Sequence, residues 1–217
     1  PKQGISYNKI SYINENRMLR VREFIKSYDG YEQLQISIDE ILDNLSFGVK
    51  ADKFETSLKL IGELLGFISQ RPDKEIRKGP DNLWCGIENK YIMFECKNEV
   101  DDKREEINKH EVGQMNNHCA WFEAEYGEIS DVTRILIIPT KTVSYHGNFI
   151  HDVKIMRKGK LRLLKQNIKN FIKELHSYVI SDITDETLHD LLSNSNLNLI
   201  DFKELYVEDY RNSTKKA

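Results

Sequence analysis

The stretch GPDNLWCGIENKYIMFECKN, residues 79–98, determines how the rest of the chain is interpreted. Two mostly apolar runs, residues 82–87 and residues 91–94, flank a short polar and turn-prone segment. Two β-favouring runs separated by such a segment are typical of a β-hairpin. The second run ends in Glu95 and Lys97, so two charges follow a strand that should be buried. Buried charges are costly unless they are paired or bind a metal.

The charged residues of this hairpin are spaced so that they can converge. Glu95 and Lys97 are two residues apart in a strand, so their side chains share one face about 7 Å apart. A three-residue loop over residues 88–90 brings Asp81 opposite Lys97 and onto that face, whereas a two-residue turn puts it on the other face. We therefore predict the three-residue loop, with its second or third residue left-handed. The carboxylate oxygens of Asp81 and Glu95 should then lie within about 4 Å of each other.

The two motifs of the hairpin, Pro80-Asp81 and Glu95-Cys96-Lys97, resemble the signature of the PD-(D/E)XK nuclease superfamily. In that superfamily a Pro-Asp opens one strand and a Glu-x-Lys ends the next. A second Pro-Asp, Pro72-Asp73, is followed by charged residues rather than by a strand, and we set it aside. The alternative for the matching pair of motifs is a hairpin whose end carries a solvated ion pair.

Residues 51–66 are predicted to form a helix that ends at Gly66. The residues of its apolar stripe are Phe54, Leu58, Ile61, Leu64 and Leu65. The pattern resembles the first helix of Mrr-like and Holliday-junction-resolvase-like members of the superfamily, in which the Glu at the position of Glu55 reaches toward the metal site. The alternative for Glu55 is an acid favoured by the helix dipole near a helix N-terminus.

The resemblance implies an α/β fold with a restriction-endonuclease-like αβββαβ core, in which helices flank a mixed central sheet. It covers residues 51–142, and we place the nuclease core at residues 51–180. A helical appendage or connector, residues 1–50, precedes this core, and a C-terminal extension, residues 181–217, follows it. Patterning elsewhere predicts helices over residues 15–27, 31–45 and 103–127, a buried strand over residues 134–139, a short helix from Thr184 through Leu192, a short strand or helix over residues 199–207, and a frayed tail from Glu208.

The same resemblance assigns roles to the residues at the ends of these elements. Asp81 and Glu95 would hold Mg²⁺, for which Mn²⁺ would substitute, and the carbonyl of Cys96 would be a further ligand. Glu55 would add a ligand or complete a second metal position. Lys97, a protonated cation beside carboxylates, would orient the attacking water or stabilise the pentacovalent phosphorus.

One further candidate catalytic residue, Gln114, lies on the helix predicted over residues 103–127. Some nucleases of the superfamily carry a Gln shortly after the Glu-x-Lys strand, and Gln114 resembles it. The Gln-x-x-x-Tyr pattern is not kept, because His118 stands where Tyr is expected. We expect His118 and His110 to pack or to contact phosphate, because Mg²⁺ prefers oxygen ligands.

Two positively charged segments are candidates for contact with phosphates. Residues 154–173 carry eight cations and no acid, and the chosen nucleic-acid-binding candidates are Lys158, Lys160, Arg162 and Lys165. The alternative is the solvated face of an amphipathic helix. Residues 67–78, which include Arg71, Lys74, Arg77 and Lys78, are either a solvated loop or a phosphate-facing loop.

Composition sets the limits of the interpretation. The chain has 217 residues, of which 31% are charged and 39% hydrophobic, which fits one globular domain, alone or with an appendage. No apolar run approaches the ~20 residues of a membrane span. The three cysteines lack C-x-x-C spacing, so we expect free thiols and a cytoplasmic protein. The net charge of -3 means that any surface for nucleic acid is local.

We therefore expect a metal-dependent deoxyribonuclease that hydrolyses DNA phosphodiester bonds. The first residue is proline. Either an initiator Met has been removed or the sequence is a piece of a longer protein, and we favour the second interpretation. That protein would act in bacterial defence, restriction or repair. Two alternatives remain: a nucleic-acid-binding module without turnover, and an interaction domain in a larger complex. The choice between DNA and RNA, the mode of cleavage and the oligomeric state stay open.

Overall fold

The protein is described by a computed structural model that covers residues 6–12 and 16–214. The helices are α1 (Arg17–Lys26), α2 (Gly30–Asn44), α3 (Ala51–Leu64), α4 (Pro72–Ile76), α5 (Lys109–Tyr126), α6 (Lys158–Leu175), α7 (Asp185–Asn194) and α8 (Leu199–Glu204). The strands are β1 (Ile68–Gln70), β2 (Asn82–Gly86), β3 (Lys90–Cys96), β4 (Val132–Ile137), β5 (Thr142–Val143), β6 (Val153–Met156), β7 (Glu208–Asp209) and β8 (Arg211–Asn212).

A mixed six-stranded sheet with strand order β1-β2-β3-β4-β6-β7 forms the centre of the molecule. Alternate residues of each central strand face two separate buried clusters, as the two-residue period of a strand requires. One cluster packs one face of the sheet against α1, α2, α3, α6, α7 and α8. The other packs the opposite face against α5. The protein is therefore a mixed α/β structure whose sheet is flanked by helices.

The order α3-β1-β2-β3-α5-β4 follows the predicted order of elements, with α4 added between β1 and β2. Helix α5 begins at Lys109 rather than at residue 103. It starts there because Asn108 and Glu111 form a capping box, in which each side chain accepts a hydrogen bond from the backbone of the other residue. Sequence-based placement of α5 was thus wrong by about two turns at its N-terminus.

The two ends of the chain also take part in the folded core. Helix α1 lies within its predicted segment and α2 begins one residue before its own, at Gly30, and both contribute to the buried cluster that contains α3. The apolar residues expected on the second of these helices are buried except for Ile36, which is 63% exposed.

The prediction of a frayed tail is wrong as far as residue 214, because β7 pairs with β6 and β8 pairs with β5. Residues 1–5, 13–15 and 215–217 lie outside the described part of the chain.

The hairpin of β2 and β3 has a three-residue loop, but one residue earlier than predicted. Gly86 pairs with Lys90, so the loop consists of residues 87–89, and Glu88 and Asn89 are left-handed with φ of 59° and 55°. The register therefore differs from the predicted one by two residues. Because two residues are one full strand period, the correction leaves every side chain on its predicted face.

The topology sets Asp81 and Glu95 at one edge of the sheet. Strands β3, β4 and β6 are parallel, so their carboxyl ends lie along the same edge. Strand β2 is antiparallel to β3, so it begins where β3 ends. Open α/β sheets commonly bind ligands at the carboxyl ends of their strands. Among the described residues, no helix is both long and apolar enough to cross a membrane.

Candidate metal centre

Three carboxylates from separate elements meet at this edge. Glu55 of α3, Asp73 of α4 and Asp81, which directly precedes β2, each offer one oxygen, and these three oxygens lie within 4.8 Å of one another. We call these three residues the acid cluster. Asp73 and Asp81 are eight residues apart, Glu55 lies eighteen residues before Asp73, and the fold brings the three side chains together.

Helix α3 is fixed to the end of β3, which places Glu55. The amide of Ala51 donates to the carboxylate of Glu99 at 2.9 Å, and the amide of Gly48 donates to the carbonyl of Asn98 at 2.8 Å. The buried side chain of Asn82 also donates to the carbonyl of Glu55 at 3.1 Å. These bonds hold the beginning of α3 over the edge at which β2 starts.

Asp73 reaches the cluster because the chain folds back after α4. Pro72 occupies the start of this short helix, and the amide of Asp73 donates to the carbonyl of Pro80 at 3.3 Å. Gly79 packs against the ring of Trp121, where a Cβ atom would come within 2.8 Å of ring carbon, and its φ is 86°. A glycine is therefore required for the turn that brings Asp81 next to Asp73.

The side chain of Asp81 forms a hydrogen bond with the end of the neighbouring strand, β3. Its Oδ2 accepts a hydrogen bond from the amide of Cys96 at 2.6 Å. The pKa of Asp81 is raised to about 8, chiefly by burial and then by the charges of Glu95 and Glu55, against the amide of Cys96, which lowers it. The carbonyl of Cys96, an expected metal ligand, belongs to the same strand end.

Glu95 is 1% exposed and engages a cation and an imidazole with its two oxygens. Oε1 lies 2.9 Å from Nζ of Lys97, and Oε2 lies 2.5 Å from Nδ1 of His118. Burial acts to raise the pKa of Glu95, but His118 and Lys97 outweigh it and hold that pKa below its ordinary value. Burial acts to lower the pKa of Lys97, and Glu95 outweighs it, so the pKa of Lys97 is raised. Glu95 is thus ionised and Lys97 protonated at neutral pH.

Arg71 is a buried cation beside the acid cluster. It is 6% exposed, and its Nη2 forms an ion pair with Oε2 of Glu55 and lies 4.0 Å from Oδ2 of Asp73. Its Nη1 bonds to Asp52 at 3.1 Å and to Thr56 at 2.9 Å. The segment that contains Arg71 is thus not the loop expected from the sequence.

The remaining oxygens of the acid cluster suit a hard divalent cation. Oδ1 of Asp73 is buried without a hydrogen-bond partner. In the described part of the chain, no hydrogen bond or ion pair reaches Oε1 of Glu55 or Oδ1 of Asp81. Burial raises the pKa of both Glu55 and Asp73. Unpaired buried carboxylate oxygens are costly, and Mg²⁺ and Mn²⁺ prefer such ligands, so these residues fit a metal ion.

The structure brings most of the predicted catalytic residues to one place. Glu55, Asp81, Glu95 and Lys97 lie at the same sheet edge. Gln114 is half-buried on α5, one helical turn before the His118 that bonds Glu95, and makes no hydrogen bond within the described residues. His118 therefore has a defined partner, which the sequence did not indicate.

Sequence reasoning missed Asp73 and Arg71. The Pro72-Asp73 motif was set aside because no strand follows it. Proline at the first position of a helix and an acid in its first turn are a helix-start signal, and α4 begins there. That signal predicts the short helix, although it does not predict that Asp73 reaches Asp81. Nothing in the sequence marks Arg71 as buried.

Most of the basic segment is engaged with the protein itself. Lys158 pairs with Asp102. Nζ of Lys160 donates to the carbonyl of Leu205 at 2.8 Å, and Nζ of Lys165 donates to Ser46 at 2.9 Å. Arg162 is exposed and makes no ion pair or hydrogen bond within residues 6–12 and 16–214. Other cations of the segment pair with acids from elsewhere: Lys154 with Asp209, Arg157 with Glu208, and Lys169 with Asp39.

The resemblance to the PD-(D/E)XK superfamily rests on Pro80-Asp81 and Glu95-Cys96-Lys97, whose charged side chains the fold brings to one edge. Comparisons with protein-family models, with curated protein sequences and with solved structures find no match to the chain.

Proposed function

We propose that the protein is a metal-dependent nuclease that hydrolyses phosphodiester bonds, with DNA as its substrate. The observation that carries this proposal is the convergence of three carboxylate oxygens, one from each member of the acid cluster, at the sheet edge where Glu95 pairs with the ammonium group of Lys97. A phosphodiester is anionic, so a site that cleaves it must offset charge and activate water. Carboxylates that hold a cation, together with Lys97, meet both needs.

Glu55, Asp73 and Asp81 would hold Mg²⁺ or Mn²⁺ through one oxygen each. When bound, such a cation supplies an acidified water and neutralises developing charge on the phosphate. The carbonyl of Cys96 remains a further proposed ligand, by resemblance to the superfamily. Asp73 is the addition that the structure makes to the expected ligand set.

Lys97 would stabilise the reacting phosphate. Its raised pKa keeps it protonated, so it donates hydrogen bonds to phosphate oxygens and does not act as a base. Glu95 fixes the direction of Lys97 with one oxygen and that of His118 with the other. In this arrangement Glu95 is a positioning residue, and it would also serve as the expected metal ligand through a lone pair that neither partner occupies.

The proposal extends to the finer fold and to the context of the protein. The order α3-β1-β2-β3-α5-β4 and the mixed sheet support a restriction-endonuclease-like core. We place the protein in the cytoplasm, as part of a larger bacterial defence, restriction or repair protein. Arg162 is the member of the predicted nucleic-acid-binding set that is free to contact a phosphate.

A cleavage assay with metal controls tests the proposal. Supercoiled plasmid, linear DNA and RNA of the same sequence are incubated with Mg²⁺, with Mn²⁺ and with EDTA. We expect cleavage with either metal and none with EDTA, and the RNA arm decides the substrate. Binding of DNA without cleavage under every condition would instead support a non-catalytic nucleic-acid-binding module.

A further inference from the structure

Arg71 is a buried cation that lies against two members of the acid cluster. The guanidinium contacts Glu55 and Asp73 through Nη2, and Asp52 and Thr56 through Nη1. Its Nε is buried without a partner, so the two terminal nitrogens alone hold it. A buried arginine in contact with two prospective metal ligands occupies space that a cation would otherwise take.

The oxygens of the acid cluster are divided into two sets. Each member has one oxygen that the protein already engages: Oε2 of Glu55 with Arg71, Oδ2 of Asp73 facing Arg71, and Oδ2 of Asp81 with the Cys96 amide. The second oxygen of each member is free within the described residues. One free oxygen from each member would supply three of the oxygen ligands that a single hard cation prefers.

The charge balance of the centre also fits one divalent ion. The carboxylates are Glu55, Asp73, Asp81, Glu95 and Asp52, and the permanent cations are Arg71, Lys97 and Lys74, which pairs with Asp52. Five negative and three positive charges leave two negative charges. One divalent cation neutralises them, whereas a second would leave a buried excess of positive charge.

We propose that Arg71 takes the place of a second metal ion, so that the site binds one divalent cation through Glu55, Asp73 and Asp81. Arg71 is then a positioning residue that holds Glu55 and faces Asp73. The inference deepens the proposed function and rests on it, because the proposed function states what the bound metal does. The number of bound ions, however, is measured without any cleavage assay.

The experiment is a titration of the full chain with Mn²⁺, followed by calorimetry and by electron paramagnetic resonance. Wild type should bind one Mn²⁺ and give the spectrum of an isolated ion. Arg71→Met should bind the first ion about tenfold more tightly, a gain of about 1.4 kcal/mol, because a neighbouring positive charge is gone. It should also take up a second ion, seen as spin coupling between the two. Arg71→Lys keeps the charge and should bind one ion.

Lys74→Met is the matched control, because Lys74 pairs with Asp52 as Arg71 does, but its side chain is exposed and forms no ion pair with the acid cluster among the described residues. It should behave as wild type. Two coupled ions in wild type, no bound ion, or a single ion in Arg71→Met would each overturn the inference. If Arg71→Met does not fold, two ions in Arg71→Lys would overturn it and one ion would support it. One bound ion without nucleic-acid cleavage would refute the proposed function and leave the inference standing.

Discussion

The acid cluster and the basic segment, residues 154–173, show opposite relations between charge in the sequence and charge in the structure. The three carboxylates of the acid cluster come from α3, α4 and the start of β2, yet the fold gathers them and leaves Oδ1 of Asp73 buried without a hydrogen-bond partner among the described residues. The basic segment is a continuous run of cations, yet distant acids neutralise many of them. A run of like charge in a sequence is thus a poor guide to the charge that a ligand meets.

The difference arises from where the partners lie in the sequence. Asp209 and Glu208 are more than fifty residues from the cations that they pair with on β6 and at the start of α6. Such pairs form only when β7 joins the sheet, and the tail was expected to be frayed. Unpaired charge at the acid cluster is therefore the more informative feature, because buried groups rarely stay unpaired without a function.

The largest effect is expected from Asp81→Asn. Removal of a carboxylate from the acid cluster should abolish metal-dependent cleavage, by about 1000-fold or more, because the metal loses a ligand and a charge. Glu95→Ala should have a similar effect, because Lys97 and His118 lose their common partner. Initial rates of plasmid cleavage measure both, and thermal unfolding checks that the fold is kept. Full activity in both variants would show that the site is elsewhere.

Lys97→Ala should lower the cleavage rate by about 100- to 1000-fold, as expected for the loss of one charge-stabilising donor. Mn²⁺ binding should remain measurable, because Lys97 is not a ligand. Lys90→Ala is the matched control, because Lys90 also pairs with a glutamate two residues earlier, at 2.8 Å, but on the exposed hairpin. Equal rates in the two variants would contradict the role given to Lys97.

The metal-free protein should lose stability as the pH rises from about 4 to 8. Asp81 has its pKa raised to about 8 from 3.8, so the folded state retains a proton that the unfolded state has released. This proton uptake favours the folded state at low pH, and the advantage disappears as the pH rises through the folded pKa. The loss should be roughly 2 kcal/mol, because neighbouring carboxylates share the titration.

Chemical denaturation across this pH range measures the effect. Asp81→Asn should flatten the pH dependence of the free energy of unfolding. Saturating Mg²⁺ should restore stability at pH 8, because the metal replaces the proton. A wild-type stability that rises between pH 4 and 8 without metal would contradict the assigned environment of Asp81.

The smallest effect concerns the basic segment. Arg162→Ala should weaken DNA binding and flatten the salt dependence by up to about one unit in the slope of log K against log salt. Lys158→Ala should leave that slope almost unchanged and should cost up to about 1 kcal/mol of stability, because its charge is paired with Asp102. Equal slopes for the two variants would remove the distinction between free and paired cations.

Local pattern predicted the parts of the fold that depend on periodicity. The hairpin, the helix of Glu55 and the burial of β4 follow from alternation and apolar spacing, and the structure has all three. The shared face of Asp81 and Glu95 was also predicted correctly, because a register error of two residues preserves the faces. The start of α5 could also have been predicted from the sequence, because Asn108 and Glu111 have the spacing of a capping box.

The rest depends on contacts between distant residues. The hairpin loop includes Ile87, which is 58% exposed, although its apolar side chain suggested a place in the strand. Asp73 enters the site only because Gly79 packs on Trp121 and turns the chain back. Arg71 is buried by partners on α3. None of these contacts leaves a periodic signal in the sequence.

Cleavage by Asp73→Asn tests the central claim most directly, because this residue joins the site through the fold and not through a recognised motif. The account predicts a loss of Mg²⁺-dependent plasmid cleavage of at least about 100-fold, since a metal ligand is removed. Glu75→Gln changes an exposed acid on the same short helix, which accepts hydrogen bonds from Gln70 and from the amide of Arg71 but is not a member of the acid cluster. It should keep the rate within about twofold. Wild-type cleavage by Asp73→Asn would contradict the claim that Glu55, Asp73 and Asp81 form the metal centre.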